Sequence, residues 1–360
     1  MEIATPDARW NDFVQSSPDG WWWHRSEWLG YSLAYTGGDS WSFMVTENKQ
    51  VLAICPLIRK NNELDMFWSP LFSNDLNPRK LERVIDFLFK YVDQIMREQK
   101  FRRVSMMIYP LSFPSYNYLM KQGYHDISLN TQVIDLHQPL SDIHSAMRKG
   151  HDYDIDRGLK ELQVRIFDKH GLETQYLPPF DTLRWIFGHY CNLHERDAGR
   201  ITRPQITFDM QREWIIQGNA ILLSAEYGDR FNGFSYIFLY KDKAYYGSAC
   251  SDPDYHGLPI GHVLTWKTIE WLKEHGYRYY ELGIQYYGPQ LYSHPTDKEI
   301  SISKFKRGFG GFTVPLFRGE KYASKSYFLE VNQERIKRYS QELEEQNAVR
   351  TRHEQDIPSD

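Results

Sequence analysis

The sequence is poor in cysteine. Only Cys55, Cys191 and Cys250 occur in 360 residues. All three sit in apolar surroundings, and no two share a metal-ligand spacing, so buried thiols in a reducing compartment are expected rather than a disulfide framework or a zinc site. Long hydrophobic runs are also missing. None approaches the ~18 residues of a membrane span. The start, Met-Glu-Ile-Ala-Thr-Pro-Asp, is acidic and lacks the apolar stretch of a signal peptide. A cytoplasmic protein without a membrane span is expected, with peripheral membrane contact left open. There is no excess of positive charge. Lys and Arg number 43 against 47 Asp and Glu, a net charge of −4, so DNA binding is not expected, although a local basic site is compatible with that balance. A P-loop, a dinucleotide fingerprint and a metal signature are absent as well.

Aromatic residues are what the chain has in abundance. They make up 16% of it, with 11 Trp, 25 Tyr and 20 Phe, enough to build large cores or to line grooves with rings. The length suits two domains. Residues 7–35 read as two short helices with Trp21-Trp22-Trp23 between them and Ser26 as a cap. Strands are expected at 41–46, 51–58 (broken late by Pro56) and 64–69. A helix at about 79–98 carries Leu81, Val84, Ile85, Leu88, Tyr91, Val92 and Ile95 at helical spacing. A strand at 101–108, a short helix at 114–122 and one strand or a pair at 124–136 follow.

Residues 140–162 read as one charged helix, weakened by Gly150 and Gly158, with Arg148, Lys149 and Arg157 available to an anionic substrate. After a strand at 162–167 come helices at 179–195 and about 207–217. Strands at 220–226, 232–240 and 244–250, a helix at about 259–275 and a strand at 277–282 complete the pattern. The order strand-strand-strand-helix-strand therefore occurs twice, without sequence similarity between the copies. An α/β (α+β) protein of two tandem units is expected, each a mixed sheet flanked by helices. The boundaries fall at 1–138, 139–320 and a helical, polar tail at 321–360, of which Asn347–Asp360 is expected to fray.

Ile300–Phe312 concentrates Lys304, Lys306 and Arg307 before Gly308, Gly310 and Gly311, among Phe305, Phe309 and Phe312. Cations at a helix end with a glycine stop account for part of this pattern. Its place after the second copy adds a functional reading. Lys243-Ala-Tyr-Tyr-Gly-Ser-Ala-Cys-Ser251, Leu264-Thr-Trp-Lys-Thr-Ile269, Gly276-Tyr-Arg-Tyr-Tyr-Glu-Leu-Gly283 and Phe305-Lys-Arg-Gly-Phe-Gly-Gly311 follow one another as in FemAB/FemX-type proteins. The chain resembles that family and its BioF2-like acetyltransferase-domain relatives within the GNAT acyltransferases, well over about 140–320 and in outline before that. Arg148–Arg157 resembles the family's basic linker helix, with Asp152 and Asp154 as departures from it.

The resemblance implies twin GNAT-like domains, the first degenerate, and transfer of an acyl or aminoacyl group to an amine of a cell-envelope or polysaccharide precursor. The donor would be an aminoacyl-tRNA or an acyl-CoA, with no permanently bound cofactor. The acceptor would be a small-molecule or glycan-precursor amine. A CoA-dependent N-acetyltransferase acting on a sugar or small amine is the alternative enzyme. A non-catalytic GNAT-fold binding protein is the alternative from another class.

Acyl transfer to an amine needs a polarised carbonyl and a stabilised oxyanion. The family lysine matching Lys306 is associated with that charge. Lys304, Arg307, Tyr246, Tyr286, Arg148 and Lys149 are candidate substrate contacts. Asp252 is the candidate general base, with Asp254, His262 and Glu281 as further options. Gly257 and Gly261 occupy the loop where acetyl-CoA enzymes cradle pyrophosphate. Asp252 and Asp254, with Pro259 lacking an N–H, speak against an ordinary CoA loop there. His194-Glu195 are adjacent on a helix and do not form an acid/base pair by that spacing.

Overall fold

Lys243–Ser251 sets Tyr245 and Tyr246 among small residues, and the strand it forms is the spine of the second unit. Ala220–Tyr227, Arg230–Tyr240 and Lys243–Ser251 build an antiparallel meander. The helix Ile260–Glu274 then crosses one face, burying Val263, Leu264, Ile269 and Leu272. Tyr279–Gln285 returns parallel to Lys243–Ser251, as a crossover of that length requires. The computed structural model describes residues 1–65, 68–170, 179–255 and 257–355.

The first unit repeats the order. Phe43–Glu47 pairs with Gln50–Cys55, and Ile58–Lys60 with Glu63–Asp65. Pro56, which has no ladder N–H, lies between these pairs, and the strands divide into sheets of four and six. Asn77 caps the helix Pro78–Glu98 through the Lys80 amide (2.9 Å), with proline at its first turn. Arg103–Met107 follows, parallel to Glu63–Asp65. Two tandem units, each with a mixed sheet flanked by helices, are thus present.

The units exchange strands across both expected boundaries. The stretch expected as one strand or two at 124–136 is two. His125–Asp126 stays in the first unit's six-stranded sheet. Leu129–Asp135 enters the second unit's seven-stranded sheet between Tyr279–Gln285 and Phe312–Leu316. In return Arg318–Tyr322 pairs with Arg103–Met107 in the first unit. The terminal helix therefore begins at Lys325, not at 321, and runs to Gln355 through most of the expected polar tail; residues 356–360 lie outside the described residues.

Aromatic packing seals this junction. Trp21, Trp22 and Trp23 are buried. Trp21 stacks on Tyr109 at 5.2 Å, Trp22 meets Trp214 at 5.2 Å, and Trp23 meets Phe238 at 4.7 Å and Tyr245 at 5.2 Å. Lys241 donates to the carbonyls of Val14 (3.0 Å), Ser17 (2.5 Å) and Gly20 (3.3 Å), satisfying groups just past the helix Arg9–Ser16.

The helix expected over 140–162 is instead two, Leu140–Ser145 and Lys149–Glu161. Arg148 is extended (ψ 134°) because its amide bonds the Gly308 carbonyl at 2.8 Å. Gly158 is a contact point rather than a weakness. A Cβ there would come within 2.4 Å of Val263 and 2.8 Å of Pro259. Ser26 begins its helix but makes no side-chain cap.

The glycines after Arg307 shape the chain. Gly308 lies against His151, where a Cβ would approach Nε2 to 2.2 Å. Gly310 and Gly311 are left-handed (φ 78° and 76°) and turn the chain into Phe312–Leu316. Gly311→Ala would place a Cβ 2.1 Å from the Val133 carbonyl oxygen. Denaturant unfolding should show a loss of about 2–4 kcal/mol from steric crowding and left-handed strain together.

Candidate functional site

Tyr279–Gln285 pairs with Lys243–Ser251 at three positions only: Lys243 with Tyr279, Ala244 with Tyr280, and Tyr245 with Glu281. Beyond these the strands part. Each carries an irregularity at that point. Gly247 is the extra residue opposite Tyr236 and Ile237, and Leu282 is the extra residue opposite Gln132 and Val133. Such bulges bend a strand and interrupt its ladder. At Gly247 a Cβ would meet the Phe238 ring at 2.6 Å and the Tyr236 carbonyl oxygen at 2.9 Å. The result is a wedge whose facing backbone edges are free of strand partners.

The helix Asp297–Arg307 packs on Tyr279–Gln285. Thr296 and Glu299 start it as a reciprocal capping box: the Thr296 hydroxyl accepts from the Glu299 amide (3.3 Å), and the Glu299 carboxylate accepts from the Thr296 amide (2.8 Å). Its last turn delivers Lys306 to the wedge. The Lys306 ammonium lies 4.8 Å from the Tyr246 ring centroid. A Cβ on Gly283 would stand 3.5 Å from Lys306 Nζ and 3.2 Å from the Tyr245 hydroxyl. Gly283 is left-handed (φ 86°), so this residue both bends the strand and leaves room for the two polar ends. No described residue hydrogen-bonds Lys306 Nζ.

Glu281 shares this position. It is 2% exposed. Its Oε1 accepts from the Thr131 hydroxyl at 2.8 Å, and its Oε2 has no partner. Burial raises its pKa to about 7, against the Thr131 bond and the nearby Lys306 charge. Burial lowers Lys306 to about 8, with the Glu281 charge opposing that fall. The two are not in direct contact, but each favours the charged form of the other. Both therefore change protonation near neutral pH.

The other expected residues are placed as follows. Asp252 does not reach Lys306. It is six residues beyond Tyr246, about 20 Å along an extended strand. There Arg196 bonds both Asp252 and Asp254 at 2.9 Å. The carboxylate beside Lys306 is Glu281, one of the further options for a base. Arg307 is committed to the Gln285 side chain (3.2 Å) and the Tyr286 carbonyl (3.3 Å), and it lies 4.2 Å over Tyr287. Tyr286 takes a bond from its amide to Ser303 (3.0 Å). Lys304 and Lys149 are exposed. Arg148 is exposed and donates to His151 Nδ1 at 3.2 Å, while His151 Nε2 donates to the Phe305 carbonyl at 2.8 Å. His151 is thus a neutral packing histidine, and burial lowers its pKa. His262 rests against it and Phe305, with burial holding it at about 4. Gly257 gives its carbonyl to Arg157 (3.0 Å). Gly261 faces the Phe305 ring, 3.2 Å from a Cβ position. Neither glycine is strained, since neither has a positive φ. His194 bonds Thr202 at 3.1 Å and pairs with no carboxylate among the described residues.

Thr131, Tyr245 and Gly283 were not singled out from the sequence. Gly283 closes the Tyr-Tyr-Glu-Leu-Gly run and carries a legible turn signal. Thr131 arrives from the other unit, and nothing local marks it. Among the described residues no group of His, Cys, Asp and Glu is arranged to hold a metal, and no helix is long and apolar enough to cross a membrane.

Replacing Glu281 with Gln keeps the shape and the Thr131 bond but removes the charge facing Lys306. NMR titration of the Lys306 side chain, assigned with Lys306→Arg, should show its pKa dropping below the value of about 8 in the variant. An unchanged titration would mean that Glu281 does not support the lysine's charge.

Residues 155–292 match the family described as "Acetyltransferase (GNAT) domain", which covers the wedge strands and stops short of the helix that carries Lys306. No curated protein sequence matches the chain. Among solved structures, FemX aligns over 92% of this chain and all of its own, at 12% identity and a TM-score of 0.65. L-PGS from Bacillus licheniformis aligns over 87% of this chain and 96% of its own, at 14% identity and a TM-score of 0.57. A tandem GNAT protein from the clavulanic acid biosynthesis pathway aligns over 90% and 98%, at 13% identity and a TM-score of 0.50. The parted parallel strands of residues 243–285 are thus those of an acetyltransferase (GNAT) domain, set in a chain with the tandem fold of FemX.

Proposed function

We propose that this chain is an N-acyltransferase that moves an acyl or aminoacyl group to an amine of a cell-envelope or polysaccharide precursor. The observation that carries the reading is Lys306. A cation with no hydrogen-bonding partner among the described residues is held, partly buried, in the wedge where two strands part. Such a group is strongly stabilised by negative charge that appears beside it, and little is lost to reorganisation.

In the proposed reaction the acceptor nitrogen bonds the carbonyl carbon, and the carbonyl electron pair moves onto oxygen facing the Lys306 ammonium. Collapse of this intermediate breaks the bond from the carbonyl carbon to the donor's ribose oxygen or thiol sulfur, and the proton lost by the nitrogen ends on that leaving atom. Tyr246 supports the lysine from below. Glu281 is a positioning residue that acts through Lys306, since its own free oxygen is enclosed. The donor is an aminoacyl-tRNA or an acyl-CoA. The likeness to FemX favours the first, and the GNAT domain accommodates either.

The test compares envelope precursors by mass spectrometry in cells with the wild-type chain, without it and with Lys306→Ala. A mass increment on an amine should appear with the wild type. It should fall about 10²–10³-fold with the variant, the usual cost of losing an oxyanion donor. An increment unaffected by the variant would sink the role of Lys306. The rate in permeabilised cells has a predictable pH dependence. Lys306 is charged below its pKa of about 8, so the rate should decline as pH rises through that value. Lys306→Arg, if active, should lack this decline, because guanidinium stays charged there.

A further inference from the structure

We propose that the hollow around Trp185 binds a nucleobase bearing an exocyclic amino group, the distal base of the acyl donor. The role as donor site rests on the transferase reading above; the binding itself does not. Trp185 lies on the helix Pro179–Ala198 and is 57% exposed, the one exposed tryptophan among the described residues. His189 and Phe231 meet it in edge arrangements at 4.6 and 5.5 Å, which fixes the indole without covering it. Two open hollows of about 530 and 440 Å³ share Trp185 and His189 as a common wall. A rigid aromatic face between two cavities is suited to stacking a flat ring, and every base offers such a face.

The charges around it are those of a nucleotide site. Arg184 lines one hollow and Arg230 the other; both are exposed, and neither makes an ion pair or hydrogen bond with a described residue. They are free for phosphate. Arg196 is not free, because it holds Asp252 and Asp254. Asp254 is 76% exposed at its side chain and, with Asp229, lines the same hollow. Carboxylates repel phosphate but accept hydrogen bonds from the amino groups of cytosine and adenine. Uracil offers no such donor.

The position fits the proposed donor. Asp252 and Asp254 follow the edge that opens beside Lys306, about 20 Å along the strand, where Asp197 accepts from the Ser251 amide at 3.1 Å. A carbonyl at Lys306 would leave the rest of the donor to run along that edge toward Trp185. Both candidate donors carry an amino-bearing base beyond the acyl group: adenine past the pantetheine arm of acyl-CoA, and the cytosines that precede the terminal adenosine of tRNA.

The test is tryptophan fluorescence of the full chain titrated with CMP, AMP and UMP, then with CoA and the trinucleotide CCA. CMP and AMP should quench saturably, and UMP should bind about tenfold more weakly. Trp185→Ala should keep the wild-type circular dichroism and lose affinity about tenfold or more, read by calorimetry, as expected for removal of a stacking ring. Asp254→Asn should reduce the preference for CMP over UMP. Tighter binding of CCA than of CoA makes the donor an RNA, the reverse makes it acyl-CoA, and either upholds the site. No saturable binding of any nucleotide, or equal affinity in Trp185→Ala, overturns it. A Lys306-dependent product in cells alongside that failure leaves the transferase reading intact. Nucleotide binding at Trp185 without such a product removes the transferase reading and keeps the site.

Discussion

The site depends on a parallel pairing that stops after three residues. Had the strands stayed zipped past Tyr245 and Glu281, their backbone groups would satisfy one another and leave no opening. Two bulges prevent this, one at Gly247 and one at Leu282 with left-handed Gly283 beside it. The same departure that opens the wedge admits the Lys306 ammonium and the Tyr245 hydroxyl. A Cβ at either glycine would crowd the arrangement, so the cleft is written into backbone geometry as much as into side chains.

A partly buried cation needs compensation, and the fold supplies it from a distance. Lys306 comes from a helix capped by its own Thr296–Glu299 box. Glu281 comes from the strand beneath, and Thr131 from a strand contributed by the first half of the chain. The first unit is therefore part of the second unit's candidate site. Strand exchange and the Trp21–Trp23 cluster hold these parts in register. In the proposed reaction rigid placement matters, because a misplaced ammonium loses most of its effect on a developing oxyanion.

Much of the fold was legible in the sequence. The repeated strand-strand-strand-helix-strand order follows from periodicity and turn residues, which act locally. The errors have tertiary causes. The 140–162 helix breaks because the Arg148 amide is drawn to the Gly308 carbonyl. The strand Arg318–Tyr322 is not among the expected elements because its partner, Arg103–Met107, lies some two hundred positions away. Asp252 is paired with Arg196 from a different helix, a partner that nothing in its own strand reveals.

The sequence alone determined the two units, the helix bearing Lys306, Lys304 and Arg307, and the glycine turn into the last strand. These rest on hydrophobic period, charge at a helix end and glycine's tolerance of left-handed backbone. The resemblance already pointed to Lys306 among three neighbouring cations; the tertiary structure decided that it stands at the wedge and that Glu281, among the carboxylates offered, faces it. A helix directs adjacent side chains to different sides. Burial, which shifts Lys306 and Glu281 toward neutrality, arises only when strands from both halves of the chain close around them.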